Sequence, residues 1–155
     1  MNKPSQDTHE DSQLPAQYYF KYRFGDSSVP PRYHRSYFIE IADDKIHFVV
    51  DSYGDILLDK TFDVEQYAVK DFENALLKLA MGVRPEKISK GCTGGTTDSF
   101  WLEFSDGRKL NGHVYNCGGE GYGNLKGKIK EAKGLFQSMV PGYYNLMKEL
   151  DKIPE

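Results

Sequence analysis

Between Ser36 and Phe62 the chain reads SYFIEIADDKIHFVVDSYGDILLDKTF, and side-chain character alternates with a period of two on either side of Asp43-Asp44. Alternation of that kind marks strands with one buried face. A two-residue hairpin closed at Asp43-Asp44 sets Ile41 opposite Ile46, Ile39 opposite Phe48 and Tyr37 opposite Val50 on one face. It sets Glu40 opposite His47 and Phe38 opposite Val49 on the other. A slip of one residue would scramble both faces, so the register is strongly specified. A second turn near Tyr53-Gly54-Asp55 leads into a strand over 56–62, where Ile56 and Leu58 are expected to continue the core face. Upstream, Tyr18, Phe20, Tyr22 and Phe24 alternate with Tyr19, Lys21 and Arg23 and predict a first strand over 17–24. The intervening GDSSVPPRYHR reads as a loop, because Pro30 and Pro31 cannot donate to a ladder.

The period then changes. In DVEQYAVKDFENALLKLAMG, Val69, Phe72, Leu76 and Leu79 form one helical stripe. Asp63 and Gln66 are spaced as a capping box, and Gly82 is the expected stop. A second hairpin comes next in SFWLEFSDGRKLNGHVY. A Ser105-Asp106-Gly107 loop with Gly107 left-handed places Leu102 opposite Leu110 and Glu103 opposite Lys109. Asn124 is expected to cap a second helix running to about 139, with Leu125, Ile129, Ala132 and Phe136 on its stripe, before Pro141-Gly142 breaks it. A short C-terminal helix through Leu146, Met147 and Leu150 completes the chain.

These elements predict one α+β domain over 17–155, behind a disordered polar leader over 1–16. Its core is a mostly antiparallel sheet of about six strands: a four-strand meander, a helix, then a hairpin. Two or three helices pack on one face. Apolar residues at 39% and aromatics at 14% are enough for such a core.

Both cysteines, the single tryptophan and a dense set of glycines lie in GCTGGTTDSFWLEFSDGRKLNGHVYNCGGEGYGN. The preferred hairpin register puts Cys117 opposite Gly95, and a bend at Gly94-Gly95 brings Cys92 back toward it. Four outcomes fit that corner. A disulfide would contribute roughly 3 kcal/mol but needs an oxidising compartment. Two reduced structural thiols need nothing further. A zinc site through Cys92, His113 and Cys117 lacks the usual C-x-x-C pairs. A Cys-His nucleophile would use the same residues. The glycine-rich segment Gly118, Gly119, Gly121, Gly123, Asn124 comes after a strand and is expected to enter a helix, the setting for anion binding by backbone amides. Its details depart from both phosphate-loop patterns: Asn124 stands where a dinucleotide fingerprint needs glycine, and Ile129 where a Walker loop needs Ser or Thr.

The remaining candidates are surface features. Arg32, Tyr33, His34 and Arg35 cluster in a proline-stiffened loop, the kind of segment that carries contacts on a rigid sheet. Tyr19, Phe38, Val49, Leu57 and Trp101 point away from the helix-covered side and form a semi-apolar patch suited to a protein partner or a homodimer. The basic run Lys126, Lys128, Lys130, Lys133 reads as a solvated helix face. A formal net charge of −3 argues against nucleic acid as a partner. No apolar run reaches the roughly 18 residues of a membrane span, and no cofactor is expected. The chain as written reads as cytoplasmic. A chain whose export signal had been removed would read the same, and a Ser/Asp/Gln-rich leader often succeeds a lipid-anchor site. The function expected is a small non-enzymatic binding domain. The alternative is an enzyme or a small-ligand or anion binder built on Cys92, His113, Cys117 and the Gly118–Asn124 loop.

Overall fold

The computed structural model describes residues 17–151; the leader expected over 1–16 lies outside them. The fold is α+β, an open antiparallel sheet with three helices. In chain order the elements are β1 (Tyr19–Gly25), β2 (Ser36–Ala42), β3 (Lys45–Ser52), β4 (Asp55–Asp63), α1 (Gln66–Leu77), β5 (Gly82–Lys87), β6 (Thr96–Glu103), β7 (Lys109–Cys117), β8 (Glu120–Lys126), α2 (Ile129–Met139) and α3 (Tyr143–Leu150). The sheet has eight strands, two more than the sequence predicts, in the order β4-β3-β2-β1-β6-β7-β8-β5. β1 therefore sits inside the sheet. One meander runs outward from it through β2, β3 and β4. The other begins at β6, which pairs along β1 from Tyr19↔Glu103 to Gly25↔Thr97.

The first hairpin adopts the predicted register throughout, with Ile41↔Ile46, Ile39↔Phe48, Tyr37↔Val50, Glu40↔His47 and Phe38↔Val49. Asp43 and Asp44 both take positive φ, 52° and 58°, as a two-residue turn matched to the twist of the strands requires. The second hairpin likewise has Leu102↔Leu110, Glu103↔Lys109 and Ser99↔His113, with Gly107 at φ 94°.

Four expectations need correction. Ile56 does not join the core: a register shift at Val50/Asp51 leaves it 59% exposed, while Leu57, expected on the outer face, packs inward together with Leu58. Asp63 does not cap α1. It ends β4, the helix starts at Gln66, and no side chain caps it. Gly82 opens β5 rather than stopping α1, which ends at Leu77. Asn124 lies within β8, and α2 begins five residues later at Ile129. The last two errors share a cause. β5 contains Pro85 and β8 contains Gly121 and Gly123, residues that read as loop. The proline is tolerated because β5 is an edge strand. Gly123 is required because its φ is +99° and a Cβ there would run into the His113 carbonyl oxygen.

All three helices cover one face. Phe72 of α1 meets Phe20 edge-on at 5.4 Å and Phe136 of α2 at 4.9 Å. Phe136 also packs on Tyr22 and Phe100. Tyr143 of α3 packs on Tyr37 and Phe48. Such aromatic contacts each contribute about 0.5–1.5 kcal/mol beyond the area they bury. α3 lies on this side with the others, so among the described residues no helix covers the opposite face of the sheet.

Candidate binding face

The uncovered face is built by the residues that alternate with the core set. Lys21 of β1 stands between two rings, its Nζ 4.5 Å from the Phe38 centroid and 5.4 Å from that of Trp101. Strand pairing delivers both rings: Lys21 lies directly opposite Trp101 on β6, and Phe38 lies two pairs along on β2, opposite Arg23. Val49, the cross-strand partner of Phe38 on β3, is only 6% exposed although it belongs to no part of the helix-side core. The face therefore has an apolar floor of its own. Trp101 keeps 36% of its surface exposed.

Polar groups frame this patch. The Tyr19 hydroxyl donates to Glu40 Oε2 at 2.5 Å. Burial, then the Glu40 carboxylate, pushes the Tyr19 phenol above its ordinary range. Glu40 Oε1 lies 4.0 Å from His47 Nδ1, and His47 Nε2 lies 2.8 Å from Asp59 Oδ1. Both ring nitrogens of His47 thus face carboxylates, which makes it a cross-strand tie. Arg23 reaches Asp51 at 3.8 Å. The result is an apolar, aromatic centre rimmed by both signs of charge, the anatomy of a protein interface.

The Arg32–Arg35 loop divides into two pairs. His34 is buried, and its Nδ1 accepts the Tyr53 N–H at 3.3 Å. That assigns the proton to Nε2, 3.4 Å from Ser36 Oγ. Its ring stacks on Tyr53 at 3.7 Å. Arg35 donates through NH1 to the His34 carbonyl and through NH2 to the Leu150 carbonyl, at 2.8 and 3.2 Å. It thereby ties the loop to the last turn of α3, where a cation suits the helix end. These two hold the fold. Arg32 lies over the Tyr33 ring at 4.8 Å, and that exposed pair forms the tip of the loop.

At the cysteine corner the two sulfurs lie at disulfide-bonding distance, with Cα atoms 6.3 Å apart. Sulfurs paired with each other leave no thiolate for metal or nucleophile. His113 stands instead 3.3 Å from Glu86. Among the described residues no group of three His, Cys, Asp or Glu side chains is gathered for a metal ion. Gly118 and Gly119, at φ 62° and 84°, form the tight turn from β7 to β8, with Cys117 opposite Glu120. Gly121, Gly123 and Asn124 are strand residues, and Asn124 Oδ1 accepts the His113 N–H at 2.9 Å. The segment is a hairpin, so the helix start that would have aimed amides at an anion is absent from it.

On the helix side, a cleft of about 580 Å³ opens between this hairpin and α2. Asp98 and Asn116 line it, as do Gly119, Gly121, Lys128 and Lys130. Asp98 is buried, accepting from the Tyr22 hydroxyl and from Asn116 Nδ2 at 2.9 Å. Burial first, then Tyr37 and Asp98, holds the Tyr22 phenol far above its ordinary range. Gln137 Nε2 extends the network, donating to Tyr37 at 2.8 Å and to Tyr143 at 3.2 Å. Residues of β1, β2, β6, β7, α2 and α3 are joined by it.

Sequence reasoning placed Phe38 and Trp101 correctly on the outer face. It placed Tyr19 there too, but missed Lys21 and the Glu40, His47 and Asp59 side chains that frame the patch, although the cross-strand pair Glu40/His47 was the available signal. The chain matches no known family model and no curated protein.

Proposed function

We propose that this chain is a non-enzymatic binding domain that engages a protein partner through the helix-free face of its sheet. The observation that carries the reading is Lys21 held between Phe38 and Trp101, with the buried Val49 paired across from Phe38. An antiparallel sheet tolerates water on one face, but a solvated face has no need of a second apolar floor or of a half-exposed tryptophan at its centre. Aromatic anchors ringed by polar groups are where binding energy concentrates.

The test is site-specific photo-cross-linking in the cells that make the protein. A benzophenone side chain at position 101 is expected to give one discrete adduct, whose mass tells a second copy from another protein. The same group at Tyr144, 74% exposed on α3, serves as the control. Trp101→Ala is expected to weaken the captured complex roughly 30-fold, the effect of losing a hot-spot aromatic. Equal labelling from both positions, or no adduct at 101, would overturn the reading.

A further inference from the structure

On the opposite side of the molecule a pocket of about 320 Å³ opens where the first half of α1 faces the chain entering β1 and the turn between β6 and β7. It is lined by Tyr18, Tyr67, Val69, Lys70, Glu73 and Ser105. We propose that this pocket is a binding site for a small aromatic carboxylate. The inference is independent of the sheet-face reading.

The walls select the body of the ligand. Tyr18 is held in place by stacking on Phe20, with ring centroids 5.6 Å apart, and by its hydroxyl, which accepts the Asp44 N–H at 3.0 Å. Tyr67 is 70% exposed at the mouth, and Val69 is buried at the back. Two rings and a branched aliphatic enclose a space at the small end of ligand pockets, which run from about 300 to 1,000 Å³. That space suits a single aromatic ring.

The charges select the head group. Glu73 is 4% exposed, and both carboxylate oxygens are engaged: Oε2 by the Ser105 N–H at 2.6 Å, Oε1 by the Ser105 hydroxyl at 2.7 Å. A ligand cation would add a second positive charge beside Lys70, which already pairs with Oε1. Lys70 lies 3.6 Å from Glu73 Oε1, beyond the 2.7–2.9 Å of a charge-assisted hydrogen bond, and its side chain is 64% exposed. An ammonium carries three donors, so Lys70 retains donors for an incoming carboxylate. The pocket therefore offers a cation at its mouth while its acid is already satisfied.

The test is an NMR titration of the isotope-labelled full chain with phenylacetate. Saturable shifts are expected at Tyr67, Lys70 and Ser105, with a dissociation constant of roughly 1 mM or below, within reach of about ten non-hydrogen atoms. Phenylacetamide and phenethylamine are expected to bind about fivefold more weakly or worse, and Lys70→Met is expected to lose about the same factor for phenylacetate, the scale of one exposed charge contact. Lys148→Met, a change of the same kind on α3, is expected to leave binding intact. Lys70→Met also removes the ion-pair partner of the buried Glu73, so thermal melts of both variants establish that each is folded at the titration temperature. The proposal fails if no saturable shift develops by about 20 mM, twentyfold above the expected constant. It fails equally if phenethylamine binds as well as phenylacetate, or if the two lysine variants behave alike.

Discussion

Gly118 and Gly123 lie five residues apart on one hairpin, both with positive φ, yet they do different work. At Gly118 an added Cβ would meet nothing within 4 Å, so the cost of a side chain is the left-handed backbone alone. At Gly123 the same backbone penalty is joined by a collision with the His113 carbonyl oxygen and ring. Gly118→Ala is therefore expected to cost about 1 kcal/mol and Gly123→Ala about 3 kcal/mol or more. Urea unfolding of the two variants measures the difference; equal costs would mean that the close β7–β8 approach does not constrain the fold. The contrast also marks a limit of reading residues from sequence. Both glycines look alike in CGGEGYG, and only the neighbouring strand tells a turn glycine from a packing one. His34 and Arg35 show the same limit. They read as loop tips because the Leu150 carbonyl that Arg35 binds is 115 residues away.

The connection from β5 to β6 is an element with little regular structure, tied at Cys92 to the end of β7. The paired cysteines are 25 residues apart, and closing a loop of that size contributes roughly 3 kcal/mol. Replacing both cysteines with serine is expected to lower unfolding stability by about that amount. Adding a dithiol reductant to the parent chain should lower it to the same level. A parent chain indifferent to reductant would show that the sulfurs are not bonded. If bonded, they favour an oxidising compartment over the cytoplasmic reading of the sequence. The elements that were legible were those with an unbroken period. The β2–β3 hairpin and the β6–β7 hairpin each bury one face, and the alternation reports it. β5 and β8 were not, because an edge strand tolerates Pro85 and a crowded strand requires glycines. The helix caps were misplaced by two and four residues, at Asp63 and Asn124 rather than Glu65 and Lys128, for a related reason. Neither α1 nor α2 has a side-chain cap, so Asp63 and Asn124 were plausible caps with other duties. The outer face was legible in part: Phe38 and Trp101 fell where the registers put them, but the pairing of β1 with β6 that brings Lys21 to Trp101 carries no local signal.

For the molecule as a whole, the buried tyrosine network sets the response to alkali. Burial holds Tyr22, Tyr37 and Tyr143 above the ordinary phenol value, with neighbouring Tyr37 adding to the effect on the other two. In the unfolded chain these groups ionise near pH 10, so above that pH the folded state holds more protons than the unfolded one. Their contribution is complete below about pH 10 and is lost as pH rises toward the folded values, by about 1.4 kcal/mol per pH unit for each tyrosine that stays protonated. A phenolate absorbance titration should show these 3 of the chain's 11 tyrosines ionising only with loss of tertiary circular dichroism. Smooth titration of all of them in the folded protein would contradict the network. The sheet order has a further consequence, for time rather than energy. β1 receives β2 from the next stretch of chain, but its other edge waits for β6, whose Leu102 pairs with Phe20 across 82 residues. At about 5–20 residues per second a ribosome needs roughly 4–16 s to supply it. For those seconds the nascent protein presents an unpaired strand edge carrying Phe20 and Tyr22, and a cell making it must keep that edge from other chains until its own partner arrives.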